Sequence, residues 1–335
     1  MSILHKIVNH NEISTLELLL NGAFAPLHGY LNQDDHCSVL QHNRLANGTL
    51  WPLPLALSLT PAEKREAQLS GRIVLVDGLE RRAIAEVSVE SFYRLPADVA
   101  ELAQAFDANR TPDTWYASGT VKPLQKILHP AFNSLRFNVP ALRQNVQEWH
   151  SIIAVQAAPT LDSNDLQRAC EWLTDTEIGG GLLVQIGINE TSPDFHQQVR
   201  ELRNQVKCTS ARQVKLSLLP CIEGLGENRC LLLQALVSRN YGATGFVVGK
   251  HISPEARRWL LKHHDELGLD IIPVRAQRPK PRNRPCVIHF VKLPETYLPL
   301  LRWRDPVRAS ARIFLPTRYQ SSLKFTFKAK SHRAL

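Results

Sequence analysis

Between Ser151 and Val274 five short apolar runs alternate with four segments of helical period, and no other feature of the chain restricts its fold as strongly. The runs that read as strands are 151–155, 182–187, 214–218, 245–248 and 270–274. Those that read as helices are 163–173, 194–206, 227–240 and 254–266. Strands separated by helices pair in parallel through right-handed crossovers. Parallel sheets take their ligands at the carboxyl ends of the strands. The loops 156–162, 187–193, 219–226 and 249–253 are therefore where chemistry is expected. The first unit, Ser151–Cys170 (SIIAVQAAPTLDSNDLQRAC), has the strand–loop–helix build of a phosphate site, because a helix start favours anions. Its loop nevertheless carries Asp162 and Asp165 and no His, Lys or Arg before Arg168.

The chain before Ser151 has a different texture. Leu16–Leu20 followed by Asn21-Gly22 reads as a helix closed by a glycine stop. Ala23–Tyr30 is rich in turn residues, and Asn47-Gly48 marks a short loop. The extended stretch TLWPLPLALSL carries Pro52 and Pro54, which suit an edge strand or an irregular approach to one. Gly71–Asp77 and Ala83–Val89 around Gly78 read as a β-hairpin. Met1 to about Ala117 is thus a mostly β unit with a few helices. Gly119–Trp149, broken by Pro123, Pro130 and Pro140, reads as a connector, with Pro140 suited to the first turn of a helix.

Composition adds limits. The net charge of +9 suggests a nucleic-acid binder until its distribution is inspected. Fourteen of the 40 Lys and Arg, against two of the 31 Asp and Glu, fall in Ala276–Leu335, so Met1–Arg275 holds 26 basic and 29 acidic residues. The basicity belongs to the end of the chain, and nucleic acid is not expected as a partner of the body. The six cysteines form no C-x-x-C pair, as in a reduced, cytoplasmic protein. No apolar run approaches the roughly 20 residues that cross a bilayer, and MSILHKIVNHNEIS lacks the build of a signal peptide. His5, His10, His28, His36 and His42 have no metal-ligand spacing, and no metal is expected.

Several long stretches carry a family likeness. LELLLNGAFAPLHGYLNQDDHCSVLQHNRLANGTLWPLPLALSL (16–59) resembles the N-terminal domain of ATP sulfurylase (sulfate adenylyltransferase). WYASGTVKPLQKILHPAFNSLRFNVPALRQNVQEWHSIIAVQ resembles that family's linker and the start of its catalytic domain. VKLSLLP (214–220) and SRNYGATGFVVGK (238–250) continue the likeness. The resemblance implies an α/β fold: a β-rich, PUA-like N-terminal domain followed by a Rossmann-like nucleotidyltransferase domain with a parallel sheet. The expected division is 1–150 for the first domain and linker, 151–275 for the catalytic domain, and 276–335 for an atypical basic tail, disordered or the product of a frameshift. The family joins sulfate to the α-phosphate of ATP, giving adenylyl sulfate and pyrophosphate. Such a reaction depends on cationic and N–H-donating groups aimed at phosphate oxygens.

The resemblance breaks at those groups. Where the family has Q-T-R-N-P-x-H-x-x-H, this chain reads QAAPTLDSND from Gln156 to Asp165. Gln156 and Leu161 persist in kind; the sulfate-binding Arg position is Ala158, and both His positions are Asp. A carboxylate ~4 Å from a phosphate oxygen repels it by ~4 kcal/mol at an effective dielectric near 20, about three decades in rate. The Gly-Arg-Asp-His run after the VVG strand is here Gly249-Lys250-His251-Ile252. Lys250 keeps charge without the guanidinium fork, and His251 stands one position early. The family's Met-Arg pair after its L-P turn becomes Glu223-Gly224, and Glu190 stands near a position that is normally Lys. No G-x-x-x-x-G-K-[ST] string occurs, so an adenylyl-sulfate kinase step is not expected.

Gln156, Asp162, Asp165, Gly249, Lys250 and His251 are thus the candidate remnants of a substrate and nucleotide site, with no intact catalytic set. Plainer readings stand beside them. Asp162 and Asp165 suit the start of a helix, Gln156 suits a strand end that bonds backbone, and Lys250 with His251 suits a solvated loop. The expectation is an impaired homologue, a pseudoenzyme of sulfate activation, that scaffolds sulfate-activation enzymes or assembles with its own copies. The alternatives are a working adenylyltransferase with a rebuilt site, using ATP with Mg²⁺ and sulfate or adenylyl sulfate, and a nucleic-acid module acting through the tail.

Overall fold

The computed structural model describes residues 3–107, 110–157, 166–167, 169–171, 180–190, 192–207, 213–249 and 251–273. The first sheet comprises β1 (Leu4–Val8), β2 (Gly29–Tyr30), β3 (Leu57–Leu59), β4 (Arg72–Asp77), β5 (Ala83–Tyr93) and β6 (Trp115–Pro123). Its order is β1-β4-β5-β6-β2, with β3 also on β6; β1 runs parallel to β4 and the other pairs are antiparallel. Helices intervene at His10–Leu20, Gln33–His42, Pro61–Ser70 and Ala97–Ala103.

Local chemistry sets the ends of these elements. Asn9 caps the first helix: its side chain accepts from the Glu12 N–H while the Glu12 carboxylate accepts from the Asn9 N–H. Beyond that helix Gly22 takes φ +87°, the left-handed stop that the Asn-Gly pair predicts. Thr60 and Glu63 repeat the reciprocal cap on the helix Pro61–Ser70. The hairpin of β4 and β5 forms as expected, whereas only Leu57–Leu59 of the proline-containing stretch becomes strand. The connector begins later than the sequence suggests. β6 runs through Gly119 to Pro123, and its register against β5 shifts between Val89 and Ser91, a bulge that accommodates Gly119 at φ +152°. Pro140 then lies in the first turn of the helix Val139–Asn145, capped by Asn138.

The second sheet is entirely parallel. It comprises β7 (Ser151–Ala157), β8 (Gly180–Ile188), β9 (Val214–Pro220), β10 (Gly245–Val248) and β11 (Asp270–Pro273), in the order β11-β10-β7-β8-β9. Each strand coincides with a predicted run to within two residues. The helices Phe195–Lys207 and Glu227–Asn240 stand where they are expected, and the predicted 254–266 divides into Pro254–Leu261 and His264–Leu267. Within β8 a side chain at Gly181 would strike the Trp149 ring at 2.1 Å, so glycine is required there. From β7 the chain winds outward through β8 and β9, then crosses back to β10 and β11. The direction reverses between β7 and β10, which makes the crevice between their carboxyl ends the topological switch point.

All described residues fall in one compact unit, Met1–Ala276, with a core continuous across both sheets. Leu16, Trp51 and Leu57 of the β-rich part share it with Leu183, Leu232 and Phe246. The opposite face of the parallel sheet closes over Ile153, Val184, Ile186, Phe195 and Val199. Polar bolts reinforce the seam. Asn240 donates to the carbonyls of Ala23 and Ala25 at 2.8 and 2.9 Å, and the Tyr241 hydroxyl donates to Phe137 at 2.8 Å. Among the described residues no helix is long and apolar enough to cross a membrane.

Candidate functional site

The switch point gathers Gln156 at the end of β7 with Gly249 and His251 after β10; Asp162, Asp165 and Lys250 lie outside the described residues. Gln156, Gln185 and Ser217 are register neighbours on β7, β8 and β9, so they form a polar row across the sheet. The Gln156 amide nitrogen lies 3.2 Å from Gln185 Oε1, 3.1 Å from the Gln234 carbonyl and 3.1 Å from Ser238 Oγ. Ser238 in turn donates to Gln185 Oε1 at 2.8 Å. Two amide hydrogens meet three acceptors, so the donor end of Gln156 is used up inside the fold.

Gly249 follows the last residue of β10, and its carbonyl accepts from Arg257 Nη2 at 3.2 Å. His251 is exposed. The following helix start, a natural anion site, is taken by the protein's own Glu227, whose carboxylate accepts from the Ser253 N–H at 2.9 Å. Hydrogen bonding from Ser253 lowers the Glu227 pKa. Arg257 is a cation at this edge that sequence reasoning overlooked. Its signal is positional: it lies in the first turn of the helix after β10, within reach of the carbonyl just past the strand.

A second constellation lies at the carboxyl ends of β8 and β9. A cavity of about 840 Å³ opens there, bounded by Ile188, Glu190 and Pro220, by the start of the helix His10–Leu20, by the turn Asp77–Glu80 and by Ile127–Pro130. At its floor His129 is held between two carboxylates, with Nδ1 3.0 Å from Glu190 Oε1 and Nε2 3.1 Å from Glu17 Oε1. Arg136 donates to the same Glu190 oxygen and stands 3.9 Å from Glu17. The sequence gives no warning of this cluster, because Glu17, His129, Arg136 and Glu190 come from four separate segments. Among the described residues no group of three or more His, Cys, Asp and Glu is disposed to hold a metal.

The cluster's ionisation follows from its geometry. Burial alone pushes the His129 pKa down, but hydrogen bonds to Glu17 and Glu190 outweigh it, and the net shift is upward. Burial likewise favours the neutral form of Glu190, and His129 with Arg136 reverses this to a net lowering. A raised histidine pKa gives stability that is complete below about 6.5 and is lost as pH rises through the folded value. A lowered carboxylate pKa gives stability present above about 4.3 and lost on acidification. The cluster should contribute most between those limits. Melting temperatures recorded from pH 5 to 9 should fall on the alkaline side, and His129→Gln should flatten that fall; an unchanged profile in the variant would refute the assignment.

Known proteins resemble the chain in both halves. A family profile described as a PUA-like domain matches residues 4–135. The sulfate adenylyltransferase of Phaeosphaeria nodorum is 27% identical over 302 residues, covering 80% of this chain and 52% of the relative. That of Candida albicans is 29% identical over 308 residues, covering 79% and 57%. Among solved structures, one titled a hexameric APS kinase from Thiobacillus denitrificans superposes with a TM-score of 0.63 at 24% identity, over 82% of this chain and 52% of that one. This last likeness is one of fold. The chain spans about half the length of the curated relatives it matches.

Proposed function

We propose that the chain, which resembles sulfate adenylyltransferases over about four-fifths of its length, is a catalytically impaired homologue of that enzyme, acting in sulfate activation without performing the adenylyl transfer at the family's rate. The observation that carries this reading is the state of Gln156. It is the one polar residue of the sulfate and phosphate loop kept in kind, and its amide donors are spent on Gln185, Gln234 and Ser238. Charge at the sheet's carboxyl edge supports the same reading: Glu190 is locked to His129 and Arg136, and Glu227 occupies the helix start. Asp162 and Asp165 replace imidazoles in the sequence and add repulsion toward a triphosphate. In this reading 1–150 is the PUA-like domain with its linker, 151–275 the nucleotidyltransferase-like domain and 276–335 the atypical tail. The protein then serves in the cytoplasm as a scaffold, for its own copies or for sulfate-activation enzymes.

One observation favours a second reading, a rebuilt anion site. Arg257 Nε is buried without a partner beside Gly249, so Arg257 with His251, and Lys250 from the same loop, would receive ATP with Mg²⁺ or adenylyl sulfate. Purified full-length protein assayed for sulfate-dependent adenylyl-sulfate formation separates the two. Turnover at least three decades below an intact sulfurylase assayed in parallel is expected. Comparable turnover, lost on Arg257→Met, would establish the rebuilt enzyme.

A further inference from the structure

A separate cavity of about 480 Å³ lies between the helix Gln33–His42, the stretch Leu53–Ser58 and the loop Ile222–Leu225. Its wall is aromatic and apolar, with Tyr30, Phe106 and Tyr116 beside Leu53 and Leu225. Its charge is of one sign: Glu12, Asp107 and Glu223 line it, and no Lys or Arg does. His36 is also part of the wall, although it is only 3% exposed. Its Nδ1 lies 3.1 Å from the Tyr93 hydroxyl. That hydroxyl gives its one hydrogen to the Leu31 carbonyl at 2.9 Å, so it must accept from His36, and Nδ1 carries the ring proton. Burial pushes the His36 pKa down to about 4, so near neutral pH its Nε2 is a bare lone pair. No described residue donates to Nε2. Edge-on packing against Tyr93 and Tyr116, with ring centroids 6.0 and 5.0 Å away, holds the imidazole in this orientation.

We infer that this cavity binds a small planar heteroaromatic molecule that carries an N–H donor on its ring or on an exocyclic amine. The donor meets His36 Nε2, and the ring lies against the aromatic wall of Phe106 and Tyr116. Donation to Nε2 satisfies an acceptor that the fold leaves unpaired, which an apolar molecule alone could not do. A protonated ring gains further from the carboxylates and the aromatic faces. An anion, a nucleotide phosphate included, meets only repulsion there. Gln156 and Arg257 do not line this cavity, so the inference does not depend on whether adenylyl transfer survives.

Calorimetric titration of the full chain at pH 7 tests it with 2-aminobenzimidazole, a planar ring system with N–H donors, against 2-naphthoate, a ring system of similar size that ends in a carboxylate and has no donor. The amine is expected to bind with a Kd near or below ~1 mM, in keeping with a ligand of its size, and at least tenfold more tightly than the carboxylate. His36→Asn keeps a donor at the Nδ1 position and removes Nε2, and should weaken the amine about tenfold. Glu223→Lys alters an exposed rim position without touching the core, and should weaken it about threefold or more through charge. In the unaltered chain, isotopically labelled at the histidine nitrogens, the resonance of one unprotonated ring nitrogen should move to lower frequency during the titration as it accepts the hydrogen bond. Equal binding of both probes, amine binding that neither variant weakens, or histidine resonances that do not move would overturn the assignment.

Discussion

Replacing Gly119 with alanine is expected to abolish the stable fold. Gly119 sits at the bulge of β6, paired with Val89 of β5 on one side and Tyr30 of β2 on the other, at φ +152°. A Cβ built there would lie 2.0 Å from the Ser88 carbonyl oxygen and 2.9 Å from its carbon. Both are backbone atoms of the longest strand in the sheet, so neither can move aside without breaking the ladder. The partner strand is equally tight, since a Cβ on Gly29 would lie 1.9 Å from the Gly119 carbonyl oxygen. Strain of this kind belongs to the exceptional class of substitutions above ~4 kcal/mol. Gly78→Ala is the matched control. Its nearest obstacle is Ile7 Cγ2 at 2.9 Å, a methyl of an exposed side chain that can turn aside about χ1, and a cost of about 1 kcal/mol is expected. Urea titration with soluble yield decides. Gly119→Ala unfolding within ~1 kcal/mol of the parent would show that the bulge is not as tight as described.

Removing the Arg229 guanidinium should produce the second large loss. From the helix Glu227–Asn240 it donates to the carbonyls of Val39, Leu40 and Pro52 at 3.2, 2.8 and 2.8 Å. It also stacks over Phe106, 5.0 Å from the ring centroid. Leu40 stands in the last turn of the helix Gln33–His42, where backbone acceptors lack a helical partner, whereas the Val39 carbonyl also accepts from the Asn43 N–H at 3.1 Å. One side chain therefore satisfies several acceptors and joins the parallel sheet's helix to the β-rich part. Because the group is only partly buried, solvent can replace some of these bonds, and Arg229→Ala should cost about 2–4 kcal/mol. Arg229→Lys keeps the charge but lacks the fork, and should recover less than about half. If lysine restored full stability, charge alone would be the relevant property.

The fold was legible in the sequence wherever periodicity decides it. The central strands β7, β8 and β10 of the second sheet are buried along most of their length and read as largely apolar runs, IIAV in β7, LLV in β8 and FVV in β10. The helix stop at Gly22 follows from the need for a left-handed residue, whereas the helix Pro61–Ser70 and its stop at Gly71 were not read from the sequence. The short strand β1 is harder to see, since LHKIV alternates weakly and is fixed by its parallel pairing with β4, some 70 residues away. β6 extends through Gly119 to Pro123 into the stretch whose prolines read as a connector, with Gly119 at a bulge within the strand.

The site divides along the same line. The placing of the loops at the strands' carboxyl ends and the departures from the family's loop follow from local sequence, whereas the switch point depends on the strand order. What Gln156 does with its amide depends on Gln234 and Ser238, which a helix 80 residues later brings over the sheet. The Glu17–His129–Arg136–Glu190 cluster and the cavity above it are products of tertiary assembly alone. Glu190 reads from sequence as a lost lysine, yet in the structure it is one member of an ion-paired floor.

The most direct measurement is calorimetric titration of the full chain with ATP and with adenylyl sulfate, each with and without Mg²⁺. No saturable heat up to millimolar ligand is the predicted result, because the retained glutamine is committed inside the fold and carboxylates occupy the carboxyl edge. Saturable binding of adenylyl sulfate that Arg257→Met abolishes would contradict it, and would establish the switch point as a rebuilt, working site.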